Sequence, residues 1–224
     1  MERKDLPIIV GGCHRSGTSL LRRILTPTRA FTAGRKSSSF GTCTETTMPT
    51  PSATGASSAP PAPWYPRTNC SRCWAAPLSR CMSGSATRAG KARWADKNPE
   101  NVLYWRDWDR LLGRDWLFVH MVRHPLDTLA SIKEANFPFA LPRGLEGRIG
   151  HYRQCLLQGQ LFGKTYPDRY LLVRYEELAR APGRVLELLM KGLGETLEPI
   201  QLSFNEVAHE KGLEDPKVGA TRAV

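Results

Sequence analysis

Hydrophobic positions in this chain form short continuous runs that alternate with stretches of helical periodicity. The runs that predict buried strands are residues 6–11, 116–122 and 170–173. The helical patterns span residues 20–25, 100–112, 126–135, 144–166 and 185–193. Strands that alternate with helices favour a parallel sheet covered on both faces. The pattern therefore predicts an α/β fold with three α/β/α layers, and 224 residues suit a single domain, 1–224.

Residues from about 27 to 88 interrupt this pattern, because they are rich in Ser, Thr, Pro, Ala and Arg and contain few large aliphatic side chains. One interpretation is a disordered or poorly packed insertion, without the apolar residues that a strand or helix on the sheet would need. The other is translation out of frame, entered near Leu25 and left near Ala89. Permitted codons at both ends of the segment encode ordinary amphipathic sequence when they are translated from their third base. The coding DNA would decide between the two.

The net charge of +11 suggests a polyanionic partner, but its distribution weakens that inference. Residues 26–93 carry nine Lys or Arg residues against the single acid Glu45, so much of the excess belongs to the interrupting segment. Cys70 and Cys73 have the spacing of half a zinc site, and Cys43 and Cys81 supply no regular second half. We therefore expect neither nucleic-acid binding nor a metal. The charged first residues lead into only a short apolar run, which favours a cytoplasmic protein without a membrane span.

The residues with the clearest chemistry lie between the first predicted strand and the helix that follows it, in Gly11-Gly-Cys-His-Arg-Ser-Gly-Thr-Ser19. Glycines allow a tight turn, after which backbone amides and the helix dipole face a bound anion. Thr18 and Ser19 add hydroxyl donors and Arg15 adds a cation. The nucleotide-binding P-loop pattern fits from Gly12 onward, except that Thr18 stands where nucleotide hydrolases have lysine. This difference argues against NTP hydrolysis.

The loop, with Arg-Ser-Gly-Thr-Ser followed by Leu-Leu, resembles the 5′-phosphosulfate loop of the sulfotransferase family, whose fold is P-loop-like. The resemblance extends to a second strand that ends in an arginine, with a serine eight residues later, and to a short lysine motif at 95–99. The strand-to-helix turn at 172–178 is also similar. The resemblance implies that 3′-phosphoadenosine-5′-phosphosulfate (PAPS) is the sulfuryl donor. By this resemblance the donor-binding residues are Arg15, Ser16, Gly17, Thr18, Ser19, Arg123 and Ser131, and the catalytic residue is Lys97.

Sulfuryl transfer to a hydroxyl acceptor needs positioning, charge stabilisation on the leaving phosphate and a base, but no metal. The branch that the chain resembles, the protein-tyrosine and carbohydrate sulfotransferases, uses a glutamate as that base. Only the frame-corrected sequence restores it, and nothing around Glu45 suggests a tuned carboxylate. The C-terminus also lacks the basic residues with which relatives close over the 3′-phosphate, which suggests truncation. We therefore expect anion binding with little turnover; a kinase-like phosphotransferase and a non-catalytic phosphate-binding protein remain as alternatives.

Overall fold

The computed structural model describes residues 2–27, 31–33, 82–84, 86–88, 90–135 and 141–206. Its strands are β1 (Ile8–Gly12), β2 (Phe31–Ala33), β3 (Arg93–Lys97), β4 (Leu117–Val122) and β5 (Tyr170–Arg174). Its longer helices are α1 (Thr18–Leu25), α2 (Trp105–Leu112), α3 (Pro125–Ala135), α4 (Leu145–Thr165), α5 (Tyr175–Arg180) and α6 (Pro182–Leu193). No helix among the described residues has the length and apolarity that crossing a membrane requires.

All five strands are parallel and stand in the order β2-β3-β1-β4-β5. In a parallel sheet the carboxyl ends of the strands share one edge, so the segments that follow β1, β3 and β4 leave the sheet together. The predicted α/β fold with a parallel sheet is confirmed. The three strands expected from the apolar runs are present, as are the helices expected after them. The expectation that 170–173 is buried is wrong, because β5 lies at the edge of the sheet, where only Val173 is buried and Leu172 is 47% exposed.

The two faces of the sheet pack against different kinds of side chain. One face places Ile8, Val10 and Val119 against the aliphatic residues of α1 and α6. The other packs Phe118 against Trp105, Trp108 and Phe162, from α2 and α4. Helices on both faces complete the three layers, because each face buries its apolar side chains only when it is covered.

The aromatic face also buries His120 of β4, whose Nδ1 lies 2.7 Å from the Tyr170 hydroxyl. Burial lowers the pKa of His120 to about 4 from 6.5, because desolvation penalises the charged imidazolium. Helix α4 lies so close that a Cβ on Gly159 would come 2.0 Å from the His120 ring. This close approach holds α4 against the strand that leads to Arg123.

Strand β3 was not predicted, because its sequence Arg-Trp-Ala-Asp-Lys has no apolar run. All five of its residues are nevertheless buried, and each of its three charged side chains makes at least one hydrogen bond. Arg93 donates to the Leu193 carbonyl at 2.9 Å, and Asp96 accepts from the Asn101 amide at 2.8 Å. β2 pairs with residues 93–95 of this strand and β1 with residues 95–97, so the two neighbours share its backbone hydrogen bonds.

The expectation that residues 27–88 contribute no strand is wrong at Phe31–Ala33, which pairs with β3. Residues 82–84 and 86–88 are helical, and Ala86 is buried on the aromatic face. A short strand at the sheet edge needs only one neighbour for its hydrogen bonds, so it can form without a long apolar run. Most of the segment, including Glu45 and its four cysteines, lies outside the described residues. Translation out of frame therefore stays a hypothesis.

Candidate functional site

The loop between β1 and α1 closes through its own backbone. The Ser16 amide and hydroxyl both donate to the Cys13 carbonyl, at 3.1 and 2.6 Å. Arg15 and Gly17 adopt positive φ values of 70° and 98°, and α1 begins at the next residue, Thr18. The unpaired amides of the first helical turn therefore lie at the loop, where they can bind an anion. The Ser16 hydroxyl already stabilises this turn.

Two glycines of the loop are required by close contacts. A Cβ on Gly12 would lie 2.2 Å from the Met121 carbonyl oxygen of the neighbouring strand. On Gly17 it would lie 2.6 Å from the Tyr175 ring, besides the strain of the positive φ. The glycines thus let the loop lie directly against β4 and the start of α5.

Lys97 ends β3 beside this loop. Its Nζ donates to Ser19 Oγ at 3.3 Å, and the residue is only 2% exposed. The neighbouring Asp96 is held by Asn101, whose amide also donates to the Val10 carbonyl at 3.0 Å. The lysine is thus fixed at the loop by the strand and its buried supports.

Arg123 and Ser131, the second predicted pair, meet the loop. Arg15 Nε donates to Ser131 Oγ at 3.0 Å, and an Arg123 nitrogen donates to the Arg15 carbonyl at 3.3 Å. The Arg123 guanidinium lies over the Tyr175 ring, 4.5 Å from its centroid. Its buried Nε has no hydrogen-bond partner among the residues that the structure describes. The predicted residues of both motifs are therefore adjacent in space, although 116 positions separate Arg15 from Ser131.

The two guanidinium groups affect each other electrostatically. Burial, and then the charge of Arg123, lower the pKa of Arg15 below its usual value. Such an arrangement favours an anion, because a negative ligand relieves the repulsion between two cations.

Three residues that the sequence did not assign hold this second part of the site in place. The Tyr152 hydroxyl donates to the Arg123 carbonyl at 2.8 Å, and the His124 amide donates to the Glu176 carboxylate at 2.7 Å. Tyr175 lies beneath the Arg123 guanidinium. Tyr175 and Glu176 belong to the strand-to-helix turn that the resemblance had marked, so that motif was a usable signal. No signal in the sequence marked Tyr152, because the position of its side chain depends on how α4 packs against the sheet.

Cys13 of the loop contacts His151 and Cys155 of α4. The Cys155 sulfur lies 3.6 Å from His151 Nε2, and the ligand atoms of all three residues lie within 4.8 Å of one another. A hydrogen bond from the Cys155 thiol lowers the pKa of Cys13 to about 6 from 9, and the same bond raises the pKa of Cys155. The spacing His-x-x-x-Cys on a predicted helix could have suggested one shared face. That this face meets the loop could not be foreseen.

Two sequence predictions near the site lie outside the described residues. They are residues 137–140 of the apolar stretch 137–142, for which the sequence suggests either part of an acceptor lid or an ordinary buried loop, and the residues after 206, which stand where relatives have basic side chains.

Solved structures with a similar fold include three sulfotransferases or sulfotransferase domains, each at low sequence identity. The sulfotransferase domain of the Synechococcus PCC 7002 olefin synthase has a TM-score of 0.66 at 16% identity, with 97% of this chain and 83% of that chain covered. The sulfotransferase domain from the curacin biosynthetic pathway gives 0.60 at 16% identity with the same coverages, 97% and 83%. A sulfotransferase from Alicyclobacillus acidocaldarius gives 0.54 at 16% identity, covering 94% of this chain and 87% of that one.

These likenesses show the fold. Comparison with curated protein sequences finds no match. A family model described as the sulfotransferase family matches residues 7–199, which include the phosphate loop, Lys97, Arg123 and Ser131. Because that match spans most of the chain, this protein belongs to the sulfotransferase family.

Proposed function

We propose that the chain binds PAPS at the carboxyl edge of its sheet and transfers the sulfuryl group to a hydroxyl acceptor. In this assignment the backbone amides from Ser16 to Ser19 and the hydroxyls of Thr18 and Ser19 hold the 5′-phosphosulfate. Arg15, Arg123 and Ser131 form the subsite for the 3′-phosphate, and Lys97 acts at the reacting bond. The observation that carries the proposal is the 3.0 Å contact from Arg15 to Ser131, which joins the loop to the second motif.

The residues present fit a ligand with two separate anionic groups. The loop and the start of α1 offer backbone donors and a helix dipole for one group. The Arg15 and Arg123 guanidinium groups offer planar, permanently charged donors for the other, and the buried Arg123 Nε has no described partner. Sequence alone assigned Arg15 to the loop's anion, whereas its contact with Ser131 favours the 3′-phosphate subsite.

Lys97 is suited to the leaving group. In the transfer, a bond forms between the acceptor oxygen and sulfur while the bond from sulfur to the bridging phosphate oxygen breaks. Negative charge develops on that phosphate oxygen, and an ammonium held at the loop stabilises it. Its contact with Ser19 and its burial keep Lys97 Nζ in a site where electrostatic stabilisation is strong.

The acceptor class in this proposal is a hydroxyl compound, and its proton must pass to a base. No described residue is assigned to that role, and Glu45, the nearest acid in the sequence, lies outside the described residues. A kinase-like phosphotransferase is less favoured, because Thr18 stands in the P-loop lysine position.

The test is calorimetric titration with adenosine 3′,5′-bisphosphate, adenosine 5′-phosphate and ATP, each with EDTA and with magnesium. We expect the bisphosphate to bind most tightly and its affinity to be independent of magnesium. Release of the bisphosphate from PAPS, and its dependence on a phenol acceptor, then separates a transferase from a protein that only binds. Tightest binding of magnesium-ATP would overturn the proposal in favour of phosphoryl transfer.

A further inference from the structure

We propose that Cys13, His151 and Cys155 bind a zinc-class divalent metal ion that ties the phosphate loop to α4. The three residues converge from two separate elements, a loop and a helix, and their potential ligand atoms lie within 4.8 Å of one another. This inference does not depend on the identity of the sulfuryl donor.

The ligand types select the metal. Two sulfurs and one imidazole nitrogen suit zinc and similar borderline-soft ions, whereas magnesium and calcium prefer oxygen ligands. Zinc bonds of about 2.3 Å to sulfur and 2.0 Å to nitrogen, in tetrahedral geometry, put ligand atoms roughly 3.5 to 3.8 Å apart. The Cys155 sulfur and His151 Nε2 are already separated by 3.6 Å. Only a small movement of Cys13 would complete this triangle.

The cluster is placed for a structural metal rather than a catalytic one. Cys13 and Cys155 are 4% and 1% exposed, so solvent has little access to their sulfurs. His14, next to Cys13 in the chain, has its ring 5.7 Å from the His151 ring and is the candidate for the fourth ligand. A site with four protein ligands would be closed, which is typical of structural zinc.

The position of the cluster suggests what the metal would stabilise. The Cys13 carbonyl accepts both hydrogen bonds that close the phosphate loop, from the amide and hydroxyl of Ser16. On α4, Tyr152 lies between His151 and Cys155 and donates to the Arg123 carbonyl. A metal at this point would therefore fix the start of the loop and the helix that supports Arg123 in one arrangement.

The experiment must separate this site from the other four cysteines, since Cys70 and Cys73 have the spacing of half a zinc site. We would replace Cys43, Cys70, Cys73 and Cys81 by serine and titrate this background variant with zinc and cobalt(II), under reducing conditions. We expect one metal ion per chain and a thiolate-to-cobalt charge-transfer absorption band. Zinc should also raise the thermal unfolding midpoint.

Cys155→Ser and His151→Gln, each made in the background variant, remove a metal ligand and should weaken zinc binding strongly. The expected loss exceeds the roughly 10- to 100-fold that follows when a residue hydrogen-bonded to a metal ligand is mutated. Circular dichroism checks that each variant folds. If a variant does not fold, the metal stoichiometry, cobalt spectrum and zinc-dependent midpoint of the background variant decide alone. Absence of binding in the background variant would overturn the proposal, as would equal binding after Cys155→Ser. If Cys13 and Cys155 resist alkylation without reductant and become alkylated when reductant is added, the two residues form a disulfide. That result would also overturn the proposal.

Discussion

The turn after β1 and the turn after β4 leave the same edge of the sheet but are built differently. The first takes five residues, with positive φ values at Arg15 and Gly17, and the groups that we propose for anion binding there are largely backbone amides. The second takes only Arg123 and His124 before α3 begins at Pro125, and it presents a guanidinium group. The first turn therefore depends on backbone shape, and the second on side-chain chemistry.

Tyr175 connects the two turns. A Cβ at Gly17 would meet its ring at 2.6 Å, and the Arg123 guanidinium lies over the same ring at 4.5 Å. A change in the first turn should thus disturb the second. Truncation of Arg123 in the second turn removes only one 3.3 Å hydrogen bond to the Arg15 carbonyl and should leave the φ values of the first turn in place. This asymmetry can be tested by mutation.

Gly17→Ala should have the largest effect. The substitution strains a residue at φ 98° and forces a methyl group into the Tyr175 ring, with a combined cost of about 2 to 5 kcal/mol in the free energy of unfolding. Gly90→Ala is the control for a positive φ without a steric contact, because Gly90 has φ 65° and no atom within 4 Å of its Cβ position. Urea unfolding compares the two variants, and equal losses would show that the Tyr175 contact is unimportant.

Lys97→Met tests the proposed role of the lysine ammonium at the reacting bond. Loss of the ammonium should slow release of adenosine 3′,5′-bisphosphate from PAPS by about 10² to 10³, since charge on the leaving phosphate is no longer stabilised. Affinity for the bisphosphate should change less. The control is Lys191→Met, an exposed lysine in the last turn of α6. If the two variants have the same rate, Lys97 has no catalytic role.

His120→Asn tests whether the buried histidine of β4, the strand that leads to the second turn, makes the stability of the fold depend on pH. The folded-state pKa of about 4 lies below the ordinary 6.5, so His120 is neutral in the fold and takes up a proton on unfolding. The stability that it contributes is full above pH 6.5 and falls by about 1.4 kcal/mol per pH unit from there down to pH 4. Urea unfolding of both proteins at several pH values should show a smaller loss in the variant; parallel curves would contradict this account.

Arg123→Ala should give a smaller and more selective loss. Without one charged hydrogen-bonding group, affinity for adenosine 3′,5′-bisphosphate should fall by about 1.5 to 3 kcal/mol, while adenosine 5′-phosphate binds almost as before. Ser131→Ala should act in the same direction by about 0.5 to 1.5 kcal/mol. Arg180→Ala, at the exposed end of α5, is the control for net charge. Equal weakening of both nucleotides would mean that the second turn does not bind the 3′-phosphate.

Much of the fold followed from local patterns. The apolar runs marked β1 and β4, which bury their own apolar residues, and the glycine loop marked the start of α1, which depends on its own backbone. The run at 170–173 also marked β5, although that edge strand buries only Val173. Strands β2 and β3 escaped prediction. In β3, Arg93 donates to the Leu193 carbonyl and to the Glu195 carboxylate, 100 and 102 positions further along the chain, and these partners could not be foreseen from the sequence. Asp96 accepts from Asn101, five positions away.

For the candidate site, the sequence by itself determined the residue types and their order: a glycine-containing loop between a strand and a helix, a lysine, and an arginine followed by a serine eight positions later. Only the tertiary structure decided their neighbours. Arg15 meets Ser131, Lys97 meets Ser19, and Cys13 meets His151 and Cys155. The physical reason is that a parallel sheet brings the ends of distant strands to one edge, while the side-chain contacts made there depend on how the helices pack against its faces.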